Sequence, residues 1–340
     1  MVGSTAVKRL APAAGALALA GCTTLQTPLA PAGDQASSLY SLLRLMLLVC
    51  GPIYLLVLAF LGWSLWRGRP RARLREGPQV TPEDRGLTRA LVAWCGVIVA
   101  GLTVLVVGSF LAERSLASAR AAEALQVRVT GQQWWWRVQY RDPATGGWIE
   151  TADELHLPAN RTARIELGSV DVIHSFWVPN ISGKMDVIPG RDNAIDLTPR
   201  RLGWYRAQCA EYCGAQHAHM AFDVKVESPA DFAAWLARQR ASATPPADPV
   251  LARGLAVVTH GQCAMCHVVR GTAAVGRAGP DLTHVGGRRS IAAGTLTMSR
   301  GALQGWILQP QAIKPGTNMP AISLSPADAD AASRYLESLK

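Results

Sequence analysis

The chain has 340 residues, a hydrophobic fraction of 49% and a formal net charge of +10, with a mean hydropathy of +0.13. This length suggests two folded units plus extras, and the hydropathy requires membrane segments. The positive charge does not mark a nucleic-acid face, because Arg67, Arg69, Arg71, Arg73 and Arg75 crowd into one short run after an apolar segment, which is a membrane-orientation signal.

Residues 1–21 read as a secretory signal, with Lys8 and Arg9 ahead of an Ala/Leu-rich stretch. Leu19-Ala20-Gly21-Cys22 resembles a bacterial lipoprotein box, which implies lipidation at Cys22. A plain signal peptide cut nearby is the other reading. Residues 22–38, with Pro28, Pro31 and Gly33, are an extracytoplasmic leader. Residues 39–112 form a two-helix transmembrane hairpin. Its first span, 45–66, is long enough to cross about 30 Å of hydrocarbon, and Gly51-Pro52 is expected to kink it. The second span is 90–112. The basic loop between them belongs in the cytoplasm, so both chain ends face outward from a bacterial inner membrane.

From residue 124 the pattern has period two: Leu125, Val127 and Val129 alternate with Gln126, Arg128 and Thr130, and Phe222, Val224 and Val226 repeat the theme. With turn signals at Asp142-Pro143, Gly146-Gly147 and Pro189-Gly190, this predicts an antiparallel β-sandwich or barrel over 124–228. Period two also puts Trp134 and Trp136 on one face and Trp135 on the other.

Within this domain, Cys209-Ala-Glu-Tyr-Cys213-Gly-Ala-Gln-His217-Ala-His219-Met220 sets two thiols four residues apart, then an imidazole and a thioether. Thiolate, thioether and imidazole together select copper. His174, in Asp171-Val-Ile-His174-Ser-Phe-Trp, is a further candidate ligand upstream. A Cys209–Cys213 disulfide is the alternative in an oxidising compartment.

The whole pattern resembles the binuclear copper centre, CuA, of cytochrome c oxidase subunit II. The resemblance implies a cupredoxin-like domain in which Cys209 and Cys213 bridge two copper ions and His174 and His217 supply imidazoles. Met220 and the carbonyl of Glu211 are then weak outer ligands. It further implies that the Glu211 side chain serves a magnesium site shared with subunit I. In Gln132-Gln133-Trp134-Trp135-Trp136, it makes Trp134 the exposed residue through which electrons enter and leaves Trp136 to packing. His219 has no place in the ligand set. Asp171 stabilises its loop or supplies a docking charge. One departure concerns a glutamate that many members carry before the second span, at the foot of a proton path. Asp84-Arg85-Gly86-Leu87-Thr88-Arg89 lacks it, and Glu83 or Asp84 would have to substitute.

Ser228-Pro229 starts a short helix through about residue 239, and Pro245, Pro246 and Pro249 mark a linker that closes segment 229–249. Residues 250–340 hold Cys263-Ala-Met-Cys266-His267, the attachment signature for a c-type haem; a zinc site is the alternative reading of such a motif. The sixth ligand is a methionine, Met298 or Met319. Gly316-Thr-Asn-Met319-Pro320 resembles the axial-methionine loop of class I cytochromes c, which favours Met319 and an all-α domain. Pro280 orients His267 through its carbonyl, and Tyr335 and Leu336 of a last helix pack on the first.

These motifs predict a membrane-anchored, multidomain electron-transfer subunit with two coppers, one covalent haem c and a possible magnesium ion. The partners implied are subunit I of a haem–copper oxidase, an external cytochrome or small donor protein, and the lipid bilayer. No nucleic acid is expected. An equivalent subunit of a nitric oxide reductase, or a membrane-anchored copper-binding protein without catalysis, would share many of these features.

Overall fold

The computed structural model describes residues 25–67, 85–117 and 124–340. The signal segment, Cys22, Glu83, Asp84 and most of the arginine run lie outside them.

Two helices precede the outer domains: α1 (Asp34–Trp66) and α2 (Arg85–Ala117). Both are long and apolar enough to cross a membrane. α1 continues through Gly51-Pro52. Leu45 and Val49 of α1 meet Gly108 and Gly101 of α2, so the pair runs antiparallel. α1 exceeds its apolar span at the N-terminal end and α2 at both ends, because polar flanks extend a helix that hydropathy alone does not register.

The leader differs from its expected form. Residues 25–36 lie against the β domain: the Ala32 amide donates to the Asn180 carbonyl (2.6 Å), the Asp34 amide to that of Thr198 (3.0 Å), and Arg200 pairs with Asp34 at 2.6 Å. Helix α1 begins here, at Asp34, rather than at residue 39.

The β domain stacks two sheets. One has the order β3-β2-β1-β5-β8 and the other β4-β10-β9, from β1 (Leu125–Gln132), β2 (Trp135–Arg141), β3 (Trp148–Ala152), β4 (Glu154–Pro158), β5 (Ala163–Ser169), β8 (Asn193–Leu197), β9 (Gly203–Gln208) and β10 (Ala221–Glu227). A small hairpin pairs β6 (His174–Trp177) with β7 (Lys184–Val187). The alternating residues Leu125, Val127, Val129, Phe222, Val224 and Val226 are all buried, as period two requires. The sheets are mixed rather than purely antiparallel, since β1 pairs with β5 and β10 with β4 in parallel. Long excursions separate these partners in sequence, which is what parallel pairing needs. Helix α3 (Pro229–Arg240), capped by Ser228, lays Phe232, Trp235 and Leu236 into the same core, and Arg240 ties it to Asp142 at 2.8 Å.

The second domain is helical, with α4 (Pro249–His260), α5 (Arg300–Leu308), α6 (Pro310–Ile313) and α7 (Pro326–Ser338) and a short β11–β12 ladder (Ser290–Ile291, Leu296–Thr297). Asp248, Ser299 and Ser325 cap their helices with side-chain oxygens. Val258 of α4 shares a core with Tyr335 and Leu336 of α7, and Arg253 pairs with Asp328 across them at 2.8 Å.

Candidate copper and haem centres

Two segments converge in the buried part of the β domain. Strand β6 begins with His174, fully buried, and the β9–β10 connection carries Cys209, Cys213 and Met220, each at most 2% exposed. Cys209 Sγ lies 3.8 Å from Cys213 Sγ and 3.9 Å from His174 Nδ1. Cys213 Sγ lies 3.6 Å from His217 Nδ1 and 3.7 Å from Met220 Sδ. The Glu211 carbonyl oxygen is 3.2 Å from Cys209 Sγ. A disulfide needs its sulfurs about 2.05 Å apart, so the two cysteines are free thiols here. Donors sharing one ion through bonds of about 2.0–2.3 Å sit roughly 3.3–3.8 Å apart; the Cys209–Cys213, Cys213–His217 and Cys213–Met220 separations fall in that range, and those of Cys209 from His174 and from the Glu211 carbonyl lie 0.1 Å outside it. Sulfur and imidazole donors with a thioether and a carbonyl fit copper.

The surroundings favour thiolate at Cys209 alone, because the same contact with Cys209, together with burial, pushes the Cys213 thiol up. The Cys209 thiol is held well below its ordinary value, first by the Cys213 sulfhydryl and then, against burial, by His174. Burial works against a charged His174, but Cys209 and Asp171 outweigh it and raise its pKa. His174 Nε2–H donates to Asp171 at 2.9 Å, which leaves Nδ1 aimed at the sulfurs. Asp171 is therefore no free loop carboxylate: it also accepts from the backbone amide of Gln133 at 2.6 Å.

The tryptophan run departs from simple alternation. Gln132 pairs with Trp135 across the β1–β2 hairpin, so Gln133 and Trp134 form the turn and Trp134 leaves the sheet. Trp136 is fully buried and packs edge-on to His174 at 5.8 Å and Phe222 at 5.6 Å. Trp134 is 9% exposed rather than open, because the helical domain covers it. Its indole Nε1–H donates to the Cys213 carbonyl at 2.9 Å, and Gln133 Nε2–H donates to the same oxygen at 2.8 Å. The Glu211 side chain points outward, 44% exposed and 3.9 Å from Lys184 Nζ. His219 is exposed and meets Gln216 at 2.7 Å.

A cavity of about 310 Å³ is lined by Cys263, Cys266, His267, Pro280, Arg288 and Met319 of the helical domain, and also by Trp134 of the copper domain. Met298 is not on its lining; it packs against the domain core instead. Met265 is 72% exposed. His267 Nδ1–H donates to the Pro280 carbonyl at 2.8 Å. Burial holds this imidazole below its usual value, so Nε2 keeps a free lone pair. A Cβ on Gly279 would come within 2.6 Å of the His267 ring, so only glycine admits the imidazole in this position. Arg288, 7% exposed, leaves its Nε without a partner. Two thiols, an imidazole, a thioether and an unpaired guanidinium N–H around an apolar cavity fit a covalent haem with its carboxylates.

Residues 143–227 match the family model for the periplasmic domain of cytochrome c oxidase subunit II, and residues 251–340 match that for cytochrome c. Cytochrome c oxidase subunit 2 of Alkalihalophilus pseudofirmus is 30% identical over 334 residues, covering 95% of this chain and 94% of that protein. The chain belongs to the cytochrome c oxidase subunit 2 family. The subunit 2 of Bacillus subtilis is 28% identical over 347 residues, covering 95% of each. Among solved structures, the periplasmic domain of subunit II of cytochrome oxidase of Bradyrhizobium japonicum is 30% identical, covers 36% of this chain and 96% of that one, and has a TM-score of 0.33.

Several residues of this subunit 2 site carry no legible motif. Gln133, Gln216, Lys314 and Asn318 take their roles from contacts between the two domains, and Arg288 takes its own from the cavity it lines. The nearest sequence signal is that Lys314 and Asn318 flank the turn before Met319.

Proposed function

We propose that this chain takes electrons from an external donor onto haem c, passes them to a binuclear CuA centre, and hands them to subunit I of a haem–copper oxidase, where oxygen is reduced to water. The chain alone is an electron-transfer protein; oxygen reduction belongs to the assembled complex. Cys263 and Cys266 would attach the haem, with His267 and Met319 as axial ligands and Pro280 orienting His267. Cys209, Cys213, His174, His217, Met220 and the Glu211 carbonyl would hold the copper pair. Bound there, haem and copper supply the redox centres.

The protein's own part is the bridge between them, and one observation carries this reading: Trp134 both lines the cavity that would take the haem and donates its indole N–H to the carbonyl of Cys213. Trp134 thus serves as an internal relay, and the external donor meets the haem domain instead. Packed β-sheets hold the copper donors still, which lowers the reorganisation needed at each transfer. Water is kept out by burial of His174, Cys209, Cys213 and Met220.

The remaining elements of the proposal are a bacterial inner-membrane location with α1 and α2 as spans, a lipidated Cys22 after a removed signal, and a magnesium ion shared through Glu211 with subunit I. The exposure of the Glu211 carboxylate beside the copper ligands supports the last of these, since a carboxylate suits a hard cation.

Flash-induced reduction of the haem in the full chain tests the path. The near-infrared copper absorbance is expected to bleach at the rate at which the haem reoxidises. A haem that stays reduced while copper stays oxidised would refute it.

A further inference from the structure

Lys314 follows α6 and precedes Met319 by five residues, yet its side chain leaves the helical domain. It is 2% exposed. Its ammonium donates to the carbonyl oxygens of Trp134 (2.7 Å), His219 (2.8 Å) and Ala292 (3.3 Å). An ammonium has three protons, and each has an acceptor here. Two acceptors belong to the copper domain and one to the helical domain.

The choice of acceptors is specific. Trp134 is the turn residue whose indole bonds to Cys213. His219 stands between His217 and Met220, on the short 3-10 turn of the copper loop. Two neighbouring contacts cross the same seam, one in each direction: Gln216 Nε2 of the copper domain donates to the Pro315 carbonyl at 2.6 Å, and Asn318 Nδ2 of the helical domain donates to the Gln133 carbonyl at 3.0 Å. The loop that ends in Met319 is thus laced to both copper-side segments. Burying a lysine is costly unless every donor is satisfied, and this one is satisfied only when the two domains are in register.

We propose that Lys314 is a positioning residue for electron transfer between the domains: its ammonium pins the Met319 loop to the Trp134 turn and to the 217–220 loop at once, and so fixes the gap an electron crosses. The inference rests on the electron path proposed above. In the step it serves, one electron leaves ferrous haem, which becomes ferric, and reduces the copper pair by one electron. No bond forms or breaks and no proton moves.

The test combines hydrogen–deuterium exchange with flash kinetics on the full chain in detergent, unaltered and as Lys314→Met, which keeps the bulk and removes the donors. Expected are amide exchange about tenfold faster in both 131–135 and 216–220, with β1 core and α7 amides unchanged, and haem-to-copper transfer slowed about tenfold. The visible and paramagnetic resonance spectra should be those of the unaltered chain. Unchanged exchange in either segment overturns the proposal, and so does faster exchange with an unchanged transfer rate. If the unaltered chain itself passes no electron from haem to copper, the functional reading fails while the exchange data still decide the pinning. If Lys314→Met loses the native haem spectrum, acetylation of the unaltered chain decides instead. Lys314 should react at least about a hundredfold more slowly than Lys184 or Lys340, and equal reactivity overturns the proposal.

Discussion

Trp134 donates its indole N–H to the carbonyl oxygen of Cys213 at 2.9 Å while Lys314 holds the carbonyl of Trp134 at 2.7 Å. A single residue is thereby gripped from both domains. Trp134→Phe keeps a ring and deletes the indole donor, leaving the Cys213 oxygen with Gln133 alone. The expected cost is about 1 kcal/mol of stability and about tenfold slower interdomain transfer, with copper content unchanged. Chemical denaturation and flash kinetics on the same preparation check both.

Asp171 couples the copper site to that turn, accepting from His174 Nε2 at 2.9 Å and from the Gln133 amide at 2.6 Å. Burial works against this carboxylate, but the Gln133 amide and His174 outweigh it and hold its pKa below the usual value. Asp171→Leu removes both bonds. Copper affinity should fall about 10–100-fold, read by competition with a chelator, while the haem spectrum stays as it was.

The two candidate methionines separate cleanly. Met319 lines the haem cavity and Met298 does not. Met319→Leu should abolish the low-spin His/Met spectrum and lower the haem potential; Met298→Leu should leave both intact and cost only packing, under about 1.5 kcal/mol for a volume-conserving swap. Visible spectroscopy and a redox titration distinguish them.

A buried charge cluster on the far side of the sandwich sets a pH window. His156 lies 2.8 Å from Glu227 and 3.6 Å from Glu154 and stacks on Trp235 at 4.0 Å. Burial opposes its charge, but the two glutamates outweigh that and raise its pKa above 6.5. The stability it contributes is full below 6.5 and is lost as pH rises through the folded value. Glu154 and Glu227 are lowered below 4.5, with His156 overcoming their burial, so their contribution is lost as pH falls through their folded values. His156→Gln should therefore lower the melting temperature most between about pH 4.5 and 6.5, with the difference narrowing above that range.

The clustering of candidate donors was legible because it depends on residue type at fixed spacing: Cys209, Cys213, His217 and Met220 are local in sequence, as are Cys263, Cys266 and His267. Strand alternation located the sandwich for the same reason. Three features were not legible. The hairpin at Gln133-Trp134 breaks the alternation that puts Trp134 and Trp136 on one face, because turn residues escape the period of the strands they join. The parallel pairing of β1 with β5 depends on where the chain returns, which no local pattern records. The covering of Trp134 and the burial of Lys314 arise from one domain docking on another, and a lone lysine before a turn looks like solvent-exposed charge until its partners are known.

The proposed electron path requires one chain to hold both a copper pair and a His/Met haem. Electron paramagnetic resonance of the oxidised full chain, with copper and haem counted per polypeptide, tests it most directly. Two coppers and one haem are expected, with a mixed-valence signal whose hyperfine splitting is shared over both copper nuclei. A single-copper signal, or a metal-free Cys209–Cys213 disulfide beside an intact haem, would contradict it.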